Sequence, residues 1–252
     1  MDLARLCSEK GAEFLATAFD DFSFDFIDPL IQRIKVSSGE ITNTPLLRKY
    51  GASKKPVLVS TGICGLSEIE TAINELVKAG TPENLITLMH CTSAYPANFE
   101  SLNLKAISTL NTAFGLPVGY SDHSVGFEVA IAAVALGATV IEKHITLDKN
   151  MVGPDHSASA SIDEFLTMVD CIRHIELALG TGIKKPTRDE LENSIAIRKS
   201  IVAARAIRKG EILTPECICT KRPGNGITAD YWDFVLGRAA VRDFAIDELI
   251  VL

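Results

Sequence analysis

The residues best suited to chemistry lie between Gly119 and His156, in GYSDHSVGFEVAIAAVALGATVIEKHITLDKNMVGPDH. His123, His144 and Glu142 in this stretch are of types that bind divalent metals or move protons. It reads as an apolar strand ending in Ser121-Asp122-His123, an almost wholly apolar helix from about Phe127 to Leu136, and a second strand ending near His144. A strand, helix and strand of this length form a right-handed crossover, so the strands run parallel with their carboxyl ends at one edge. The two histidines then finish near each other. Alternation puts Glu142 and His144 on one face of the second strand and Ile141, Lys143 and Ile145 on the other. One reading is a metal site, with the carboxylate lowering the cost of a bound cation. The other is two unrelated strand-end histidines in ordinary hydrogen bonds, and the crossover leaves both open.

The elements that must position these groups can be read in order. Residues up to Gly11 look like the tail of a helix, with Leu3, Leu6 and Cys7 at helical spacing. Strand-like segments follow at FLATAF (14–19), RIKVS (33–37), PVLVS (56–60), NLITLMHC (84–91), LPVGYS (116–121) and TVIEKHI (139–145). Two of the intervening helices carry capping boxes, Ser67-x-x-Glu70 and Ser161-x-x-Glu164, and each stops at a glycine, Gly80 and Gly180. Such β/α alternation predicts a parallel sheet covered by helices. No GxGxxG turn follows a strand, which argues against a dinucleotide fold. Polar groups stand instead at nearly every strand end: Thr17, Lys35 and Ser38, Ser60, His90 and Thr92, Ser121 and His123, Glu142 and His144. A closed barrel of eight strands builds its site in this way. The expected fold is thus a (β/α)8 TIM-type barrel, N-terminally incomplete, with six of its parallel strands present. A complete open sheet of six strands is the alternative.

The character changes after Gly180. Residues 181–198 are polar and contain Pro186, as in a linker with some helix. From Lys199 onward the pattern is short β segments with turn signals, a small β-rich module. The expected divisions are 1–180, 181–198 and 199–252. Cys217 and Cys219 alternate as if to share one buried face. Lys221 and Arg222 precede a Pro-Gly-Asn-Gly turn, which composition alone reads as a solvated surface loop.

Composition narrows the class of protein. The 252 residues are 47% hydrophobic and 23% charged with a net charge of −7, which suits a globular protein and, without a basic stripe, argues against a nucleic-acid partner. Six cysteines without CxxC spacing suit a reducing, cytoplasmic setting. The longest apolar run, Val129 to Ile141, is too short for a bilayer and contains Gly137, so no membrane partner is expected.

In this order, KVSSGE, LVSTG, HCTSAYP, GYSDHS, VIEKHITLDKN, GPDH and KRPGNGI resemble the sialic acid synthase family, including its legionaminic acid and related nonulosonic acid synthases. The resemblance covers essentially the whole chain. It implies a barrel, a linker and an antifreeze-like (SAF) domain in a domain-swapped homodimer. The implied reaction condenses phosphoenolpyruvate with an N-acetylmannosamine-type sugar, releases phosphate and uses a divalent metal, manganese ahead of magnesium or cobalt. It makes His123 and His144 the metal ligands, with Glu142 beside them. Thr17, Lys35, Ser38 and Ser121 fall where phosphoenolpyruvate's phosphate and carboxylate are held, and Ser60 is grouped with these substrate-binding residues. Glu40, Tyr95 and Asp155 fall where the sugar binds, and Glu142 and Asp155 are the expected catalytic carboxylates. Arg222 matches the arginine that reaches into a partner subunit's barrel to hold the N-acetyl group, which reverses the reading of a plain surface turn.

Two departures stand out. No segment matches the glutamate, lysine and glutamine that the family carries on its first two strands, and Ser93 stands where many bacterial members have asparagine. Two other classes remain as alternatives: a non-catalytic carbohydrate-binding or dimer-forming remnant, and another barrel enzyme, either a phosphoenolpyruvate-using sugar-acid synthase or a metal hydrolase. The expectation is that residues 1–252 alone have little synthase activity. Purified chain assayed with manganese, phosphoenolpyruvate and N-acetylmannosamine should release phosphate slowly, and normal turnover would overturn this.

Overall fold

The computed structural model describes residues 2–252. The chain divides into two compact units, Met1–Thr181 and Gly182–Leu252.

The first unit opens with helices α1 (Asp2–Glu9) and α2 (Asp21–Ile27), the latter capped by the Asp20 carboxylate accepting from Ser23 N at 2.8 Å. Strands and helices then alternate: β1 (Ile34–Val36), α3 (Thr44–Ala52), β2 (Val57–Ser60), α4 (Leu66–Ala79), β3 (Ile86–Cys91), α5 (Ala106–Phe114), β4 (Val118–Asp122), α6 (Glu128–Ala135), β5 (Ile141–Lys143) and α7 (Ile162–Leu179). The five strands form one parallel sheet in chain order, β1-β2-β3-β4-β5. Consecutive order without reversal is that of a (β/α)8 barrel rather than a doubly wound sheet. This unit is an N-terminally incomplete TIM-type barrel.

The sheet has five strands where six were expected, because FLATAF (14–19) pairs with no strand. It runs extended and is tied down by side chains instead. Tyr50 donates its hydroxyl to Ala18 O at 2.8 Å, and Arg33 forms a two-pronged pair with Glu13 at 2.7 and 2.8 Å. Of its apolar residues Ala18 is buried in the helix-side core and Phe14 packs against it, whereas Leu15 and Phe19 are exposed.

Alternation along the strands sorts the two faces. Ile34, Val36, Val57, Val59, Ile86, Leu88, Val118 and Tyr120 turn outward and, with Leu47, Ile69, Leu76 and Ile107 of the helices, form the main core. The strand register carries Lys35, Ser60, Cys91, Ser121 and Glu142 on the opposite, inner face. His90 is therefore a correction to the expected ring of site groups. It lies on the outer face, with its Nε2 2.8 Å from Leu102 O and its ring 5.8 Å from that of Tyr120.

Helix α7 has the expected capping box: Ser161 Oγ accepts from Glu164 N at 3.3 Å and Glu164 accepts from Ser161 N at 2.8 Å. In α4 the start is two residues earlier than Ser67-x-x-Glu70 suggested. The helix begins at Leu66, and Glu68 accepts from the Gly65 N–H at 2.8 Å. Glycine offers no capping oxygen, so the glutamate alone serves this end.

The second unit contains α8 (Arg188–Ile197), opened by a Thr187/Glu190 capping box, an antiparallel pair of β6 (Ser200–Ala203) and β7 (Ile218–Lys221), and the short helix α9 (Trp232–Val235). Isolated bridges such as Val202 to Leu249 and Ile207 to Phe244 close it around Ile201, Leu213, Ile218, Phe244 and Ile250. Cys217 joins this core, whereas Cys219 is only partly buried, because Cys217 precedes β7 and turns its sulfur back to accept from Thr214 N at 3.0 Å. No helix among the described residues is long and apolar enough to cross a membrane.

Gly119 shows how tightly the inner face is packed. A Cβ there would lie 2.4 Å from Met89 Sδ and 2.7 Å from Val140 O, and the latter is backbone that cannot move aside. Gly119→Ala should cost about 1–3 kcal/mol by overpacking, measurable as a lower denaturant midpoint at unchanged slope.

Candidate active site

The carboxyl ends of β1, β4 and β5 bring together one connected set of polar side chains. Ser121 stands opposite Glu142 in the β4–β5 register and donates its hydroxyl to Glu142 Oε1 at 2.7 Å. Lys35, 9% exposed, reaches the same carboxylate across the inner face, with Nζ 3.1 Å from Oε2 and 3.3 Å from Oε1. Glu142 thus receives both an ammonium and a hydroxyl, which fixes its orientation.

The two histidines follow immediately after their strands, and their ring centroids lie 5.4 Å apart, edge to face. Tyr95 covers both, at 4.2 Å from the His123 ring and 5.6 Å from the His144 ring. Asp155 brings Oδ2 to 3.6 Å from His144 Nδ1, and Asp122 and Ala158 complete a small pocket with these residues. Burial pushes the His123 imidazole below its ordinary value, partly offset by its hydrogen bond to Thr92. Burial likewise pushes the Tyr95 hydroxyl up.

The tautomer of His123 follows from its partners. Nδ1 lies 2.7 Å from Thr92 O, which can only accept, so Nδ1 carries the proton and Nε2 the lone pair. Ser121 Oγ is 3.3 Å from Nε2, but its single proton goes to the nearer Glu142. A neutral imidazole with an uncommitted lone pair beside a second imidazole fits a divalent cation. Among the described residues no group of three or more His, Cys, Asp or Glu side chains could hold a metal. The two imidazoles are the groups here that could hold a cation, with other coordination positions left to water or substrate oxygens.

A second set lies beside the first. Ser38 Oγ accepts from Gly62 N at 3.0 Å and is 3.3 Å from Cys91 Sγ. A Cβ on Gly62 would fall 2.3 Å from Ser93 Oγ and 2.9 Å from Ser38 Oγ, so glycine is what lets both hydroxyls crowd this backbone. Glu40, on the turn after β1, accepts from Asn43 Nδ2 at 2.7 Å. Ser60 is buried at the inner end of β2. Thr17 is half-buried in the extended stretch before α2, outside the sheet. Arg222 belongs to the second unit, is exposed, and donates its Nε to Ile197 O at 2.7 Å.

One pair of functional groups escaped the sequence reading. Behind the histidines, Lys143 Nζ lies 2.8 Å from Asp122 Oδ2, with side chains 1% and 0% exposed. The available signal was a lysine and an aspartate at outward positions of otherwise apolar strands, where a charge needs a buried partner.

A parallel β/α sheet that gathers its charged and nucleophilic side chains at the carboxyl edge defines a barrel enzyme. Comparison with known proteins narrows this. The NeuB-family model matches residues 1–184 and the SAF-domain model residues 198–252. The chain belongs to the NeuB family, that of the sialic acid synthases. It is 50% identical over 238 residues to the N,N'-diacetyllegionaminic acid synthase of Campylobacter jejuni subsp. jejuni serotype O:2, covering 94% of this chain and 71% of that one. Human N-acetylneuraminate-9-phosphate synthase is 36% identical over 87% of this chain and 61% of its own. Among solved structures, the N-acetylneuraminic acid (sialic acid) synthetase of Leptospira borgpetersenii serovar Hardjo-bovis, in complex with citrate, superposes with a TM-score of 0.70 at 36% identity, covering 76% of this chain and 68% of that one.

The depressed value of His123 predicts a pH response. Its folded value lies below the ordinary 6.5, so the unfolded chain binds the proton more readily, and stability falls as pH drops below 6.5. Imidazole NMR of the metal-free protein should give a His123 midpoint below 6.5; a midpoint at or above it would contradict the burial argument.

Proposed function

We propose that this chain condenses phosphoenolpyruvate with an N-acetylated amino sugar of the mannosamine type, giving a nonulosonic acid and phosphate. The observation that carries the reading is the Lys35–Glu142–Ser121 network set against two adjacent imidazoles at one sheet edge. It sets a buried ammonium and hydroxyl groups beside the uncommitted Nε2 of His123 and a second imidazole, within a chain of net charge −7. A multiply charged anion needs such a local concentration of donors to overcome the overall field.

Lys35, Ser38 and Ser121 would hold the carboxylate and phosphate of phosphoenolpyruvate, with the Gly62 N–H and Ser93 hydroxyl beside Ser38. Thr17 and Ser60 would complete that side. Glu40, held by Asn43, and Tyr95 would position the sugar. His123 and His144 would hold a divalent cation, manganese ahead of cobalt or magnesium, and its chemistry when bound is that of a Lewis acid for the sugar carbonyl.

The enol carbon of phosphoenolpyruvate attacks that carbonyl and forms the new carbon–carbon bond. A water adds to the carbon that bears the phosphate oxygen, and the bond between that carbon and the oxygen then breaks, releasing phosphate as the keto group forms. Asp155 and Glu142 would move the protons, one to the sugar oxygen and one from the water. Fixing two reactants face to face supplies much of the remaining acceleration.

Carbon counting supports a choice among these sugars. A nine-carbon acid less the three carbons of pyruvate leaves a six-carbon sugar, and the 50% identical relative is named for a product with two acetyl groups. A diacetamido, dideoxy relative of mannosamine is therefore preferred over N-acetylmannosamine itself. Arg222, on its turn in the SAF unit, would bind the N-acetyl group in the barrel of a second copy of the chain, making the working form a homodimer.

The test is phosphate release at high protein concentration over long incubation with manganese. Phosphate should appear only when both substrates are present, and the diacetamido sugar should outpace N-acetylmannosamine. Glu142→Gln should slow release by about 10²–10⁴-fold, the range for loss of a general acid–base. Metal and sugar binding with no phosphate from either sugar would favour the non-catalytic reading.

A further inference from the structure

We infer that the buried Lys143–Asp122 pair is a positioning device that holds His123 and His144 at their working separation, an assignment that rests on the two imidazoles being cation donors. Asp122 and Lys143 are register partners in β4 and β5, and each precedes one of the histidines by a single residue. A bond between them clamps the two strand ends from which the imidazoles project.

The clamp extends into the loop that carries His123. Lys143 Nζ also donates to Ser124 O at 2.6 Å. Asp122 Oδ1 accepts from Ser124 N at 2.9 Å and from Ser124 Oγ at 2.7 Å. Residues 122 and 124 are therefore both tied to the β5 lysine, with His123 between them. On its other side the His123 ring is fixed by Thr92 O through Nδ1. Rotation of the loop would break one set of bonds or the other.

Stability alone is a poor account of this pair. Desolvating two charges costs about as much as their attraction returns, and a well-packed apolar pair of similar volume often serves as well. Both side chains are on the outer face, away from the Lys35–Glu142–Ser121 network, and are 1% and 0% exposed, although Asp122 also lines the small pocket of Tyr95, His123, His144 and Asp155. What an apolar pair cannot supply is direction. The ammonium binds one carboxylate oxygen and one carbonyl at fixed angles, and outer hydrogen bonds of this kind orient metal-binding groups.

The experiment compares the wild-type chain with Asp122→Asn, Lys143→Arg, and the double variant Asp122→Leu/Lys143→Met, using Co²⁺ as the probe. Affinity is read by calorimetry and by visible absorption, with His144→Ala as the control that identifies the site. Folding is read by thermal melting. In the metal-free proteins, imidazole nitrogen–proton NMR reads whether His123 keeps its single Nδ1–H form.

The double variant should melt close to wild type yet bind Co²⁺ about 10–100-fold more weakly and show mixed His123 tautomers. Lys143→Arg, which keeps the charge and donors, should recover part of the affinity. Asp122→Asn, which retains an acceptor for Ser124 but not the charge, should fall between and serves if the double variant does not fold. A folded double variant with wild-type Co²⁺ affinity and a single tautomer overturns the inference. Absence of Co²⁺ binding in the wild type overturns the metal reading instead, and the tautomer measurement then decides the positioning role by itself.

Discussion

The register of β4 against β5 is the constraint on which the site depends. It sets Ser121 opposite Glu142 on the inner face and Asp122 opposite Lys143 on the outer face, so one pairing creates both the substrate-side network and the clamp behind it. A slip of one residue would exchange the faces, burying Glu142 among the apolar residues of the helix layer and turning Lys143 into the site. The outer residues Val118, Tyr120 and Ile141 hold the register by hydrophobic packing.

Charge is distributed to match. The chain is acidic as a whole, yet the two lysines of its central sheet, Lys35 and Lys143, are buried against single carboxylates on opposite faces. Only Lys35 stands where an anion could reach it. Tyr120 carries the opposite condition: its hydroxyl is buried without a hydrogen-bond partner among the described residues, and burial pushes its proton loss far above the ordinary range. It serves the core as an aromatic filler, and its polar end is a cost.

Much of the fold was legible because parallel strands announce themselves as short apolar runs and helices through their caps. The Ser161/Glu164 box was found at its true place because serine supplies the capping oxygen. Ser67 misled because it sits inside the first turn of α4, where its carbonyl accepts from Thr71 Oγ1 and Glu68 does the capping. FLATAF looked like a strand because an apolar segment that pairs with nothing and a true strand can share one composition. Only the presence of a neighbour to bond distinguishes them, and that is not local information.

By itself the sequence determined the β/α alternation, the strand-end placement of Lys35, Ser121 and Glu142, and the change to a second unit after Gly180. It also carried the ordered motifs that place the chain among the sialic acid synthases. The first three follow from periodicity, turn chemistry and residue type, which are written along the chain; the last rests on the resemblance of those motifs. The tertiary structure alone decided that Lys35 reaches Glu142 from 107 residues away, that His123 holds its proton on Nδ1, that His90 faces outward to Leu102, and that Lys143 has Asp122 as its buried partner. Each depends on a hydrogen-bond partner distant in sequence, and burial makes leaving such a group unpaired too costly to tolerate.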